Sequence, residues 1–330
     1  MLGYAVRRLL WVVPIVLGAS VVAFTIMHVA PGSPWNREGR QLDPAVVAEL
    51  NAEFGLDQPL PIQYLIWLGK FIQGDLGESM SFGGDVGAMI IHSLGPTLII
   101  CGLAFGVAVL LGVPLGLIAA MRHRTVVGRA ATVLSLVGMA APAFAVAAFL
   151  QLLVPPNPFT WCPFGCPPTL VPEPFSEAWF ADLAKSWVLP VIAMAALPLA
   201  QIARHTKASV LEILHSDYVR TAHSKGLREG RIVRVHLMRN AAIPILTIGG
   251  TILALLVTGS IVVERVFGVG GLGSLYYESI RNRDYNTLMA VTVVYALVVA
   301  VANAVVDITY GVVDPRIRDG IVTAEAVPGG

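Results

Sequence analysis

Apolar runs free of Asp, Glu, Lys and Arg recur along the chain, separated by shorter polar segments. They cover Leu9 to Ala30, Met89 to Met121, Ala130 to Val154, Ser186 to Ala203, Asn240 to Val263 and Tyr285 to Val306. Each is near or above the ~20 residues that cross a hydrocarbon core of ~30 Å at ~1.5 Å per residue. The pattern predicts an all-α integral membrane protein with six transmembrane helices. The first run follows Arg7 and Arg8, as the apolar part of a signal peptide would. It outlasts the usual ~7–15 residues and has no clear small-residue cleavage site at its end, so it is read as a retained signal anchor.

Composition narrows the class further. Of the 330 residues, 56% are apolar and 13% charged, with a mean hydropathy of +0.74. A soluble domain carries ~25% charge, which excludes a water-surrounded globule and a disordered chain alike. The formal net charge of +1 conceals an asymmetry. If the N-terminus is cytoplasmic, the inner segments hold Arg7, Arg8, Arg122, Arg124, Arg129, the eight cations from Arg204 to Arg239, Arg316 and Arg318, which is 15 of 22. Acidic residues run the other way, with 14 of 21 in the outer segments. The positive-inside rule therefore places both termini in the cytoplasm.

Two connections stand out from the rest. The outer segment from Pro31 to Ala88 holds an amphipathic stretch, Ala45 to Phe54, that Asp43 and Pro44 start as N-cap and first helical residue. It is expected to form a small folded cap. The inner segment from Arg204 to Pro244 is long, basic and free of turn clusters except at Gly226. Within it, Ser216 or Asp217 can cap a short helix that Gly226 ends. Such a helix is too polar for a core and too short to stand alone, so it is expected to dock on a partner.

The candidate chemistry is thin. Cys101 lies in an apolar run, whereas Cys162 and Cys166 share a Pro-rich loop. In an oxidising compartment those two can form a local disulfide, and two ligands alone make a poor metal site. The histidines at 28, 92, 123, 205, 215, 223 and 236 form no H-E-x-x-H, and no lysine stands in a P-loop frame. Gly268, Gly270 and Gly273 match G-x-G-x-x-G, but they follow a predicted span rather than a strand. A tight turn, with Gly271 as a further glycine, accounts for them better. Small residues at Gly18–Ser20 and Gly259–Ser260 are read as helix-packing positions. Glu264, Arg265, Asp284 and Asp307 border the last two spans. Groups at bilayer depth are paired or line a water path, whereas at span ends solvation is an equal reading. Asp307 is the most conspicuous, being flanked by apolar residues on both sides.

Ordered short motifs carry a resemblance. Asp217, Tyr218, Arg220, Thr221, Ala222, Lys225, Gly226 and Leu227, with Ile232, His236 and Pro244 beyond, are similar to the EAA loop of ABC importer permeases, in the dipeptide/oligopeptide/nickel permease version R-T-A-x-x-K-G-L. Arg7-Arg8-Leu9, Ala30 to Pro34, Gly55 to Pro59, Gly74 to Gly77, Asn282 to Tyr285 and Asp314 to Arg318 agree with that family. The chain departs from the general EAA pattern in having Arg220 for Glu and a proline delayed to Pro244, as the peptide branch does.

The resemblance implies the type I ABC importer permease fold. Its parts would be a first helix and extracytoplasmic segment over 1–92, a core over 93–311 with the coupling loop at about 204–244, and a cytoplasmic tail over 312–330. The implied partners are a second, homologous permease forming a heterodimer, two ATPase subunits that hold ATP and Mg, an extracytoplasmic binding protein, and membrane lipid, with no nucleic acid. The chain itself would bind no cofactor and catalyse nothing. The resemblance implies a bacterial inner membrane, peptide cargo and, within the same family, nickel or metal chelates as the alternative. Gly268, Gly270, Gly271 and Gly273 would form an outer gate loop. A bulky acidic side chain at Ala222 or Gly226 is expected to uncouple hydrolysis from uptake. Readings from other classes fail: an intramembrane enzyme lacks a facing nucleophile and base, and a secondary transporter leaves the basic loop without a purpose.

Overall fold

A computed structural model of the chain describes residues 2–29, 35, 43–153 and 177–313. The described residues are helical or in turns, and their one β-bridge is isolated, between Glu78 and Asp85. Helices α1 (Leu2–Leu10) and α2 (Val12–Val29) are followed by two short helices outside the apolar runs, α3 (Pro44–Glu53) and α4 (Leu60–Ile72). Then come α5 (Val86–Met121), α6 (Val126–Ala140), α7 (Ala143–Leu153) and α8 (Glu177–Leu214). Next are α9 (Asp217–Ser224), α10 (Glu229–Arg231) and a π-helical stretch (Ile232–Leu237). Helices α11 (Met238–Phe267), α12 (Leu272–Asn282) and α13 (Tyr285–Val313) complete the order.

Among the described residues five stretches are long and apolar enough to span a membrane alone: Val6–Val29, Val86–Met121, Trp187–Leu214, Pro244–Phe267 and Tyr285–Ile308. The run from Ala130 to Val154, expected as one span, is a pair, α6 and α7, bent by 98°, which makes a sixth span if taken together. The break falls at Ala141–Pro142. Proline donates no hydrogen bond, and it forces the preceding residue out of the helical region; Ala141 is accordingly extended at φ −88° and ψ 114°. Proline alone does not explain the bend, because α5 runs on through Pro96 and Pro114. Those two lie in a helix packed along its length against α8.

That α5–α8 contact is the most extensive between described helices, and small residues let the two backbones approach. Ala104, Ala108, Gly112, Gly116 and Ala120 recur every fourth position of α5 and are all buried. A Cβ on Gly112 would lie 2.9 Å from the Leu199 carbonyl oxygen, and one on Gly116 would collide with that of Ala203. Gly18 and Gly259, read from sequence as packing positions, would meet nothing within 4 Å. Because dispersion between close backbones replaces the hydrophobic effect inside a bilayer, this seam is what ties the bundle. Ile100, Met194, Ile202, Ile252 and Val291 fill the core around it, joining α5, α8, α11 and α13.

Helix α3 starts as the sequence suggests. Asp43 accepts from the Ala45 amide at 2.9 Å with Pro44 next in the chain. Val47, Leu50, Asn51 and Phe54, spaced along one face of α3, are its half-buried residues. His28 at the end of α2 is packed, its ring 4.0 Å from that of Phe24 and its Nε2 3.1 Å from Gln63 of α4. Arg8 of α1 pairs with Asp307 of α13 at 3.0 Å, which answers the isolation of that acid in the sequence.

Candidate functional site

The two ends of α5 carry the residues of interest. At its C-terminal end, α8 stops at Leu214 and the chain turns into α9. Ser216 stands at the N-cap position, although its hydroxyl donates to the Ile213 carbonyl at 2.6 Å rather than capping α9. Gly226 sits at φ +71°, the left-handed conformation expected of the residue that ends this helix. Val219 and Ala222 point inward and are buried with Ala120, Val210, Ile232, Leu237 and Ala241, and Leu227 packs on the rim. A helix of eight residues thus gains an apolar seat built from α5, α8, the π-helical stretch and α11.

Its other face is open. Asp217, Tyr218, Arg220, Thr221, Lys225 and Gly226 are exposed, as are Arg228, Arg231, Arg234 and Arg239 nearby. None of these cations has an ion-pair partner among the described residues. The Tyr218 hydroxyl accepts from Asn240 Nδ2 at 2.9 Å, which braces α9 against the start of α11. With the proline delayed to Pro244, the chain stays helical from Ile232 into α11, first as a π-helix. Ala222 is buried, so an acidic replacement there would unseat α9 as well as disturb a partner contact. A side chain on Gly226 would meet nothing within 4 Å, so only its backbone conformation resists change.

At the N-terminal end of α5 lies the glycine loop between α11 and α12. Gly268 ends α11 at φ +68°. Gly271 stands at the N-cap position of α12 and has no side chain to satisfy that helix's free N–H groups. Two other helices supply the acceptors. Thr97 Oγ1 of α5 accepts from the Leu272 amide at 2.8 Å, and the Glu264 carboxyl of α11 accepts from the Ser274 amide at 3.1 Å. Thr97 in turn donates to Glu264 at 2.8 Å. A Cβ on Gly271 would lie 2.5 Å from both Glu264 Oε2 and Thr97 Oγ1, and one on Gly273 would lie 2.5 Å from Ile261 Cα. Gly270 has open space around it. Glycine is therefore required at three of the four expected positions, each for a stated reason.

Asp284 repeats the device at the start of the next helix, α13. It is fully buried and caps α13 through the Thr287 amide at 3.1 Å. It also accepts from the Ser79 hydroxyl and from the Met80 and Ser81 amides, so that segment is tied down to α13. Glu264 and Asp284 are thus not solvated at span ends, which corrects that reading. The signal available in sequence was an acid in an apolar run beside a glycine turn. Cys162, Cys166, Ala30 to Pro34, Asp314 to Arg318 and the tail lie outside the described residues.

With this geometry in place, comparison with known proteins becomes informative. Residues 112–319 match the family described as "Binding-protein-dependent transport system inner membrane component". The chain belongs to this family. Residues 1–83 match a companion family described as "Binding-prot-dependent transport system membrane comp, N-term". The oligopeptide transport system permease protein AppB of Bacillus subtilis is 36% identical, with 96% of this chain and 100% of AppB covered. The oligopeptide transport system permease protein OppB of Escherichia coli is 33% identical over the same shares. Among solved structures, a chain of the MetNI methionine ABC transporter in an inward-facing conformation superposes with a TM-score of 0.54. That likeness covers 68% of this chain and 96% of the other at 17% identity. The fold is that of a type I ABC importer permease. The chain is a multi-pass membrane permease of an ABC importer.

Proposed function

We propose that this permease translocates di- or oligopeptides handed over by an extracytoplasmic binding protein, by alternating access driven by separate ATPase subunits. The observation that carries this reading is α9: a short helix seated by Val219 and Ala222 on the ends of three long helices, with a basic face open to a partner. A rigid element braced on the spans can pass an ATPase movement into them, as a docking strut must. In this reading the α9 end and both termini are cytoplasmic in a bacterial inner membrane, and two ATPases holding ATP and Mg dock there. A second, homologous permease completes the pathway. Peptide cargo is favoured by the names of the relatives, which are oligopeptide permeases. In the same assignment the loop Gly268–Gly273 belongs to the outer gate, and 93–311 is the translocating core. Co-purification of the full chain with the products of its neighbouring genes tests the reading. An ATPase should be recovered with the wild type; a complex without one would refute it.

A further inference from the structure

A small cavity of about 160 Å³ opens between α5, α6 and α8, lined by Ala119, Thr132, Ser135, Leu136, Ala203, Arg204 and Lys207. One water needs ~10–15 Å³ and drug-sized ligands fill pockets of ~300–1,000 Å³, so the space has room for a group of a few heavy atoms, such as a phosphate. Its wall is mostly apolar, with two cations at the edge. Lys207 Nζ donates to Thr132 Oγ1 at 2.9 Å, and the Arg204 guanidinium reaches the Met139 thioether at 3.9 Å. Neither cation has a carboxylate partner among the described residues. The two stand one helical turn apart on the span Trp187–Leu214. They are roughly 26 and 30 Å from its start at ~1.5 Å per residue. With a hydrocarbon core of ~30 Å, that is where acyl chains give way to headgroups.

Cations at this depth are costly unless paired or drawn to the interface. Beside the cavity, α6 presents Val133, Leu134, Leu136 and Val137 outward, an apolar surface suited to acyl chains. Arg122, Arg124 and Arg129 are exposed at the same end and add to the positive potential. We propose that the cavity is a binding site for the phosphate of an anionic phospholipid, held by Arg204 and Lys207 with its chains along α6. Basic recesses between transmembrane helices recognise acidic headgroups by this chemistry. The bound phosphate would brace α6 against α8 just before α8 leads into α9.

The test titrates the detergent-solubilised full chain, with any subunits it carries, with phosphatidylglycerol, phosphatidylcholine or inorganic phosphate in separate arms, read by native mass spectrometry. Phosphatidylglycerol should be retained in preference to phosphatidylcholine, and inorganic phosphate should not displace it. The variant Arg204→Gln/Lys207→Gln should weaken retention by at least about tenfold, the loss of one charge-assisted contact. Arg122→Gln/Arg124→Gln should retain the lipid, and so should Arg204→Lys/Lys207→Arg, which keeps both charges. Equal retention of the two lipids, or of phosphatidylglycerol by the Gln pair and the wild type, would overturn the proposal. Displacement by inorganic phosphate would assign the cavity to a free anion instead. Loss of an accompanying subunit from the Gln pair with lipid retention unchanged would assign the cations to a protein partner.

Discussion

At one end of α5 the acidic side chains are turned inward, and at the other the basic ones are turned out. Glu264 and Asp284 are buried, and each caps a helix N-terminus while holding a segment distant in sequence, Thr97 in one case and Ser79 to Ser81 in the other. Arg265 beside them is paired with Glu278 at 2.7 Å. Around α9 the reverse holds: Arg220, Lys225, Arg228, Arg231, Arg234 and Arg239 are exposed, and the helix is seated by apolar residues and the Tyr218–Asn240 hydrogen bond. A buried charge is tolerated only with its hydrogen bonds made, so it fixes shape. An exposed, unpaired charge contributes little to stability and remains available for recognition. The glycine-loop end is built to keep a geometry, and the α9 end to meet a partner.

The largest effect should come from removing the inward charge. Glu264→Ala leaves the buried Ser274 amide without its acceptor and the Thr97 hydroxyl with only the long contact to the Ser93 carbonyl at 3.4 Å. At ~1–3 kcal/mol for each unmade buried hydrogen bond, the loss is about 3 kcal/mol. Thermal unfolding of the purified chain should show a clear fall in Tm, with Glu264→Gln intermediate because its amide oxygen still accepts. An unchanged Tm for Glu264→Ala would mean that the carboxyl does not hold the loop.

The contrast also requires that the two ends be joined rigidly, which is the task of the α5–α8 seam. Gly116→Ala should cost about 2 kcal/mol through overpacking against the Ala203 carbonyl and Thr206. Gly106→Ala, on the same helix with nothing within 4 Å, should instead stabilise by up to ~1 kcal/mol because alanine is the better helix former. Opposite signs in one Tm series would locate the seam. Equal effects would dissolve it.

Within the loop the same logic gives a smaller difference. Gly271→Ala places a methyl 2.5 Å from Glu264 and Thr97 and should cost about 1–2 kcal/mol. Gly270→Ala, in open space, should stay within ~0.5 kcal/mol. Parallel Tm measurements on the two variants decide it, and a loss at Gly270 as large as that at Gly271 would remove close approach as the reason for glycine.

These pairs mark where sequence reasoning reached and where it stopped. Span positions and the basic α9 segment were legible because apolar length and Lys/Arg placement are properties of the chain itself. The N-cap at Asp43 and the left-handed Gly226 were legible because both are local. The bend at Pro142 was not: α5 carries two prolines without breaking, and what differs is packing. The role of Glu264 depends on Thr97, 167 residues away, which no spacing rule reveals. The ladder from Ala104 to Ala120 could have been found, since small residues at every fourth position are a written pattern. Ala222 belongs to the recognised motif, but the motif does not say which neighbours bury it; that depends on Val210, Leu237 and Ala241 from other helices.

That last point yields the variant with the smallest effect on stability. Arg220→Gln/Lys225→Gln removes two exposed charges that have no partner within the described chain, so Tm should change by no more than ~0.5 kcal/mol equivalent. If the open face of α9 is the ATPase contact, the same variant should lose the co-purifying ATPase while inserting normally, and raising salt should bring the wild type's retention down toward that of the variant. Ala222→Glu loses the ATPase too, but with a fall in Tm, because it buries a charge where Val219, Leu237 and Ala241 leave it no partner. The two variants therefore separate a lost seat from a lost contact. ATPase retained by the Gln pair at wild-type level would place the contact elsewhere and leave α9 a structural turn.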